Sequence, residues 1–181
     1  GEYPSAVLAP RMGSKRMGWP SIARGGDGAY HLVWGTGGEG GFICHVTSNN
    51  LCDYGEQRAL KLGEVSASRE LKAPSIYFDD ITHHFHICWA CTRTVARGGR
   101  KTSSTTLHAA TSVDMLTFSA ALELTPPEGC RPTEARLLKT GEGMRYALVE
   151  GKDPHKRLRL VQALRAPDAP PDAAYTMGAA G

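Results

Sequence analysis

The chain has 181 residues, of which 41% are hydrophobic and 22% charged, and its formal net charge is +3. A domain of this length buries a substantial core, and so small a net charge gives no reason to expect nucleic acid or an anionic membrane as a partner. No run of about 18 apolar residues occurs, so no membrane-spanning helix is predicted. Five cysteines are an odd number that does not indicate a disulfide framework.

Taken in chain order, the sequence repeats one pattern of strands three times. The first copy reads as a strand over Trp19–Ala23, a tight turn over Gly25–Gly28 and a second strand over Ala29–Trp34. Glycine adopts positive φ without cost, and Asp-Gly between apolar runs marks a hairpin. The copies share a proline in the first strand at positions 20, 74 and 132, which are 54 and then 58 residues apart. The chain therefore contains an internal repeat.

Each of the first two copies continues into a third and a fourth short strand. Between those strands lie turns of matching chemistry, in which Ser48, Asn50 and Tyr54 correspond to Ser112, Asp114 and Phe118. Short polar side chains stabilise such turns by hydrogen bonding to nearby backbone groups. The third copy has a third strand over Leu158–Ala163 and then becomes rich in proline, which is excluded from a central strand.

Four short strands per repeat are typical of the blades of a β-propeller. We therefore predict an all-β chain of about three consecutive four-stranded blades, at residues 18–66, 71–125 and 130–177, within a single partial propeller domain of residues 1–181. Propellers typically close with 4–8 blades, so three blades leave open edges. Either the chain is a portion of a longer protein, the interpretation that we favour, or the ring is completed by self-association through those edges.

Several short motifs carry a resemblance to a known family. They are Met17-Gly18-Trp19-Pro20 with His31-Leu32-Val33-Trp34, Ala73-Pro74-Ser75-Ile76, and Ala110-Thr111-Ser112-Val113-Asp114. In order and spacing, over about residues 17–165, they resemble glycoside hydrolase family 43 and its five-bladed relatives, a superfamily of arabinanases, β-xylosidases and arabinofuranosidases. The resemblance implies a carbohydrate ligand containing arabinose or xylose, no cofactor, no metal, no nucleic acid or membrane partner, and a secreted or periplasmic location.

The same resemblance implies that the hydrolytic groups are missing. The family hydrolyses glycosides with inversion, using carboxylates that stand far enough apart to admit a water molecule. Trp19 stands where the family has its general base, and Arg131 stands where it has a second aspartate. The family's general acid is absent, or its position is taken by Met177-Gly178-Ala179. Neither indole nor guanidinium accepts a proton from water at neutral pH, so we expect impaired hydrolysis or none.

We expect the innermost strands to bring Trp19, Lys72 and Arg131 together as a substrate-binding group. An indole stacks on a sugar face, and a guanidinium binds hydroxyls or a carboxylate through its donor fork. Trp34 is a further candidate for sugar stacking, with core packing as its alternative. Glu150 is the candidate catalytic carboxylate, with a solvated surface role as its alternative. Glu134 lies three residues beyond Arg131, so strand alternation points the two side chains to opposite faces.

Three other groups are better explained by structure than by chemistry. His83, His84 and His86 lack a further ligand motif, and Cys88-Trp89-Ala90-Cys91 lies in a predicted strand without a second cysteine pair. Residues 92–104 are predicted to form a basic, glycine-containing loop that is either solvated or in contact with an acidic glycan. Three functions remain: a carbohydrate-active protein of glycosidase descent, a non-catalytic glycan-binding or scaffolding propeller, and a degenerate product without activity.

Overall fold

The structure is a computed structural model, which describes residues 8–38, 40–62, 69–126, 132–140, 143–150 and 158–161. Throughout those ranges the regular elements are β-strands, and none of the residues there forms a helix that would cross a membrane. The strands are β1 (Gly18–Arg24), β2 (Tyr30–Gly35), β3 (Ile43–Ser48), β4 (Arg58–Ala59), β5 (Arg69–Asp79), β6 (His84–Arg97), β7 (Arg100–Ser112), β8 (Leu122–Leu124), β9 (Pro132–Thr140), β10 (Gly143–Glu150) and β11 (Leu158–Val161).

The strands form three antiparallel sheets, in which each strand pairs with its neighbour in sequence. The orders are β1-β2-β3-β4, β5-β6-β7-β8 and β9-β10-β11, and we call these sheets blades 1, 2 and 3. The predicted all-β fold is confirmed, as are the four strands of blades 1 and 2, whereas the described residues of blade 3 form three strands. The proposed boundaries of a single domain stay a prediction, and the predicted Arg131 and the segment after Val161 lie outside the described residues.

The innermost strands of blades 1 and 2 carry the same β-bulge, at the proline. One extra residue lies between Gly18 and Ser21 in blade 1, and one lies between Lys72 and Ser75 in blade 2. The residue before the proline is left-handed in both cases, with φ 51° at Trp19 and 49° at Ala73.

This register shows which residues of the two innermost strands correspond. The counterpart of Trp19 is Ala73, whereas the counterpart of Lys72 is Gly18. Left-handed backbone is sterically costly for residues that carry a side chain, and it is costlier still before a proline. Such strain persists only where the surrounding structure imposes it, and it is most often found at binding sites.

The core lies between the blades. Val33 and Ile43 of blade 1 pack with Ile87 and Trp89 of blade 2, and Cys88 and Leu107 of blade 2 pack with Ala135 and Leu137 of blade 3. The other face of blade 1 is covered by an N-terminal segment through Leu8, Met12 and Met17. Stacking of sheet faces is therefore what removes this apolar surface from water.

Serine hydroxyls add two hydrogen bonds between blades. Ser21 Oγ accepts a hydrogen bond from Ile76 N at 3.1 Å, and Ser75 Oγ accepts one from Leu137 N at 3.1 Å. Each serine follows the proline of its own blade and binds the innermost strand of the next blade. The repeated serine thus helps to set the blades side by side.

The hairpin of β6 and β7 is much longer than the rest of blade 2. Its pairing runs from Phe85 and Ser112 to Arg97 and Arg100, whereas β5 pairs with it only as far as Arg93. Residues 94–103, which we call the arm, therefore extend as a two-stranded ribbon without a third strand among the described residues. The predicted loop over residues 92–104 is wrong, because its threonines and serines favour extended backbone and only the two glycines at 98 and 99 form the turn.

Candidate functional site

Two of the predicted ligand-binding residues lie next to each other across the interface between blades 1 and 2. A Cβ atom built on Gly35 would lie 3.3 Å from Lys72 Cα and 3.6 Å from Trp19 Cε3. Glycine at position 35 therefore allows the indole and the Lys72 backbone to approach the same point. Trp19 remains 40% exposed, so part of its ring is open to solvent.

A carboxylate holds Lys72 and a neighbouring loop together. Glu70 Oε2 lies 3.6 Å from Lys72 Nζ, and Glu70 Oε1 accepts a hydrogen bond from Gly38 N at 3.1 Å. A second bond, from Leu71 N to Gly41 O at 2.7 Å, ties the same loop to β5. The Lys72 and Glu70 side chains are each about a fifth exposed, so this ion pair is half-buried.

A second pair of charged side chains lies on the innermost strand of blade 3. Arg136 Nη2 lies 3.0 Å from Glu134 Oε2, and Arg136 Nη1 donates to Pro74 O at 3.4 Å. Pro74 belongs to the bulge of blade 2, so this guanidinium lies beside the strand that carries Lys72. We call Trp19, Lys72 and Arg136, with Glu70 and Glu134, the inner-strand row.

Arg136 was missed by sequence reasoning. The sequence does indicate that Arg136 and Glu134 lie on the same face of the sheet, because the two residues are two positions apart in a strand. The contact with Pro74, 62 residues away, depends on how the blades stack and has no sequence signal. The predicted Arg131 lies outside the described residues, so the structure brings together Trp19 and Lys72 of the expected group.

Trp34 is not available for sugar stacking. It is fully buried on the face of blade 1 that the N-terminal segment covers, where it packs with Cys44 and Val46. Trp34 lies opposite the bulge of blade 1, as Trp89 lies opposite the bulge of blade 2, and both rings are buried. The core-packing alternative is the one that the structure supports.

Glu150 is the last residue of β10, and its backbone pairs with Pro132 at the start of β9. Its catalytic role stays a prediction. The two carboxylates described in the row are each engaged by a cation, Glu70 by Lys72 and Glu134 by Arg136. The row can instead stack an apolar sugar face on the indole and donate hydrogen bonds to hydroxyls.

The other candidate groups occupy structural positions. His84 Nδ1 lies 2.6 Å from Thr82 O in the turn before β6, while His86 is buried in the sheet. Across the described parts of the chain, no three histidine, cysteine or acidic side chains are grouped so as to hold a metal ion. Burial raises the pKa of the Cys88 thiol to about 12, so this cysteine is a packing residue and not a nucleophile.

Solved structures share this fold. An α-L-arabinofuranosidase from Lactobacillus brevis superposes with a TM-score of 0.59 at 13% identity, covering 87% of this chain and 50% of the other. An α-L-arabinanase from Penicillium chrysogenum complexed with arabinobiose gives 0.56 at 16% identity, covering 80% and 42%. An exo-β-1,3-galactanase from Clostridium thermocellum, 1,3Gal43A, gives 0.59 at 11% identity, covering 80% and 34%.

These similarities confirm the fold resemblance to family 43-type β-propeller glycosidases, and at such low identity they concern the fold alone. No family model and no curated protein matches the sequence. The chain spans half or less of the length of each of these three structures. Its activity, its ligand and its assembly are therefore matters for proposal.

Proposed function

We propose that this chain is the glycan-binding part of a propeller, and that its inner-strand row binds a sugar without hydrolysing it. The observation that carries the proposal is the exposed Trp19 ring beside the half-buried Lys72–Glu70 pair. Aromatic rings stack on the apolar faces of sugars, and ammonium and guanidinium groups donate hydrogen bonds to the hydroxyl rim. Lys72 and Arg136 supply such donors within this row.

The proposed ligand contains arabinose or xylose. This choice rests on the sequence resemblance and on the fold shared with an arabinofuranosidase and an arabinanase. A secreted or periplasmic location fits a ligand of this kind. Self-association through open blade edges is the proposed route by which a ring of three blades is completed when no further blades are present.

The backbone at Trp19 supports a role in binding. A bulky residue with φ 51° before a proline is strained, and backbone strain of this kind clusters at binding sites. Its counterpart in blade 2, Ala73, has the same backbone but is 1% exposed. Blade 1 therefore uses the shared bulge to present a ring, and blade 2 uses it for packing.

Binding of arabino-oligosaccharides and xylo-oligosaccharides, measured by calorimetry, tests this proposal. Trp19→Ala is expected to weaken binding about tenfold, the amount that a lost aromatic contact of about 1.4 kcal/mol corresponds to. Ile22→Ala is the matched control, because Ile22 is an exposed apolar residue on the same strand, 48% exposed. Equal affinity of the wild type and Trp19→Ala, or equal losses in both variants, contradicts the proposal.

Hydrolysis is the second candidate function, and the fold shared with glycosidases favours it. Release of nitrophenol from aryl arabinofuranosides and xylosides measures it directly. Under our proposal, the wild type releases nitrophenol no faster than the Glu150→Gln and Glu134→Gln variants do. Turnover that Glu150→Gln abolishes would instead establish Glu150 as the rescued acid that the sequence suggested.

A further inference from the structure

The charged side chains of the inner-strand row are matched in sign and number. In blade 2, Glu70 Oε2 lies 3.6 Å from Lys72 Nζ. In blade 3, Glu134 Oε2 accepts a hydrogen bond from Arg136 Nη2 at 3.0 Å. The members of each pair are two positions apart in a strand, so they lie on the same face of that strand. A ligand on the row therefore meets two cations whose charge is already balanced by two carboxylates.

The remaining charged residues of β5 and β9 do not alter this balance. Arg69 lies three positions before Lys72, so strand alternation points it to the opposite face of β5. Lys139, near the end of β9, has its Nζ 2.6 Å from Asp80 Oδ1 and 3.8 Å from Asp79 Oδ1, at the other end of β5. Along these two strands, the charge that faces a ligand on the row is set by the two pairs.

Each pair is also fixed by a contact with a neighbouring blade. Glu70 Oε1 accepts a hydrogen bond from Gly38 N of blade 1 at 3.1 Å, and Arg136 Nη1 donates to Pro74 O of blade 2 at 3.4 Å. The four charged side chains are between 20% and 33% exposed. Charges that are partly buried are screened less by salt than charges at a fully exposed surface. The charge of each carboxylate therefore acts on a ligand from a fixed position.

The described contacts leave hydrogen-bond donors for an uncharged ligand. A guanidinium has five N–H donors, and the bonds of Arg136 to Glu134 and Pro74 use two of them. An ammonium group has three donors, and the 3.6 Å between Lys72 Nζ and Glu70 Oε2 is longer than a hydrogen bond. Sugar hydroxyls accept hydrogen bonds from such donors without bringing a charge to the row.

We infer that Glu70 and Glu134 are specificity-determining residues, which restrict the inner-strand row to uncharged glycan units. The carboxylate of a uronic acid unit would be repelled by these two like charges and would find both cations already compensated. Neutral pentose units suffer no such repulsion. The inference rests on the proposed function, since it concerns the ligand class of the same row, and it adds that acidic units are rejected.

Calorimetry on the full chain with three probes tests the inference. The probes are xylotetraose, the same tetraose with a glucuronate branch, and the methyl ester of that branched probe, which differs from the acid by its missing charge. The wild type is expected to bind the ester about tenfold more tightly than the acid. A wild type that binds the acid as tightly as the ester overturns the inference without any variant.

The double variant Glu70→Gln/Glu134→Gln removes both negative charges and keeps an oxygen acceptor at each position. It should shift the ratio of the acid affinity to the ester affinity about tenfold towards the acid, because an uncompensated cation then attracts the carboxylate. The single variants show which of the two carboxylates lies nearer the branch. Binding of the ester by the same variants shows that the row is intact. An unchanged ratio in the double variant overturns the inference.

The control Glu56→Gln/Glu123→Gln removes the same charge from two exposed positions outside the row. It should keep the wild-type ratio, and a shift as large as that of the row variant overturns the inference. Trp19→Ala should weaken the acid and the ester alike and leave their ratio unchanged, so stacking and charge are measured separately. Failure of every probe to bind the wild type and the row variant overturns the proposed function and the inference together.

Discussion

A buried pair of histidines makes the stability of blade 1 dependent on pH. Arg58 Nε donates to His45 Nδ1 at 3.1 Å, and His45 Nε2 lies 3.0 Å from His31 Nδ1. A guanidinium only donates hydrogen bonds, so His45 Nδ1 is an acceptor and the proton of the neutral ring lies on Nε2. That proton is donated to His31 Nδ1, which leaves the His31 proton on Nε2, 3.8 Å from Asp27 Oδ1.

The surroundings of this pair oppose protonation. Burial, the Arg58 charge and the neighbouring His31 lower the pKa of His45 to about 3. Burial also lowers the pKa of His31, against the opposing attraction of Asp27. From blade 2 the contact is apolar, because the Phe85 ring packs against His31 with centroids 4.4 Å apart. No anion from that side is present among the described contacts to stabilise an added proton.

The sign of the effect follows from these pKa values. An unfolded histidine has a pKa of about 6.5, so between about pH 6.5 and 3 the unfolded chain binds a proton at His45 that the folded chain does not. The contribution of neutral His45 to the free energy of unfolding is fully present above about pH 6.5 and is lost progressively as the pH falls below that value. At pH 5 the loss from His45 alone is about 2 kcal/mol, which is 1.5 pH units at about 1.4 kcal/mol each.

Urea unfolding at pH 7 and pH 5 measures this loss in the wild type and in His45→Gln. Glutamine keeps an acceptor for Arg58 and a donor for His31 but does not titrate, so the variant should lose about 2 kcal/mol less than the wild type between the two pH values. The exposed His83, changed to Gln, is the control and should behave as the wild type does. Equal pH dependence of the wild type and His45→Gln would refute the reasoning.

Two further predictions concern the bulge and the contact between blades 2 and 3. Because Trp19 has left-handed φ, Trp19→Gly should be more stable than Trp19→Ala by about 1 kcal/mol, the reverse of the usual order in a strand, as measured by urea unfolding. If alanine proves the more stable, the left-handed backbone at this position is not retained. Ser75→Ala should cost about 1–3 kcal/mol because it leaves the buried Leu137 N without an acceptor. Ser119→Ala removes a similar bond to Thr111 N at an exposed position, and a cost as large as that of Ser75→Ala would contradict the explanation.

Local chemistry was enough to predict the blades. In the turns after the third strands, Ser48 Oγ accepts a hydrogen bond from Leu51 N, and Ser112 Oγ accepts one from Met115 N, both at 2.8 Å. The equivalence of these turns, read from the serine and the following Asn50 or Asp114, is confirmed by this shared geometry. Short polar side chains fix such turns through bonds to residues two or three positions away, and sequence reports contacts over that range well.

Features that depend on register were not predictable in the same way. The aligned prolines match Trp19 with Ala73, but their spacing does not show that each innermost strand carries an extra residue at that point. Two adjacent glycines predicted a loop at the arm, but they form only its turn, and the threonines and serines around them are in extended strands. Arg136 reaches Pro74 only because blade 3 stacks on blade 2, and no spacing within either blade indicates that contact.

Under the proposed function, the shared bulge gives blade 1 a binding position without any change of fold. Trp19 and Ala73 have nearly the same backbone φ, and each lies at the proline of its own innermost strand. The side chain at that position decides what the blade does, since a methyl group is buried at Ala73 while the indole of Trp19 stays exposed. A carboxylate there would serve proton transfer and an indole serves stacking, on the same backbone. Under the proposed function, the indole of Trp19 stacks on a sugar at the position where the resemblance implies a general base, and this is why we place binding before hydrolysis.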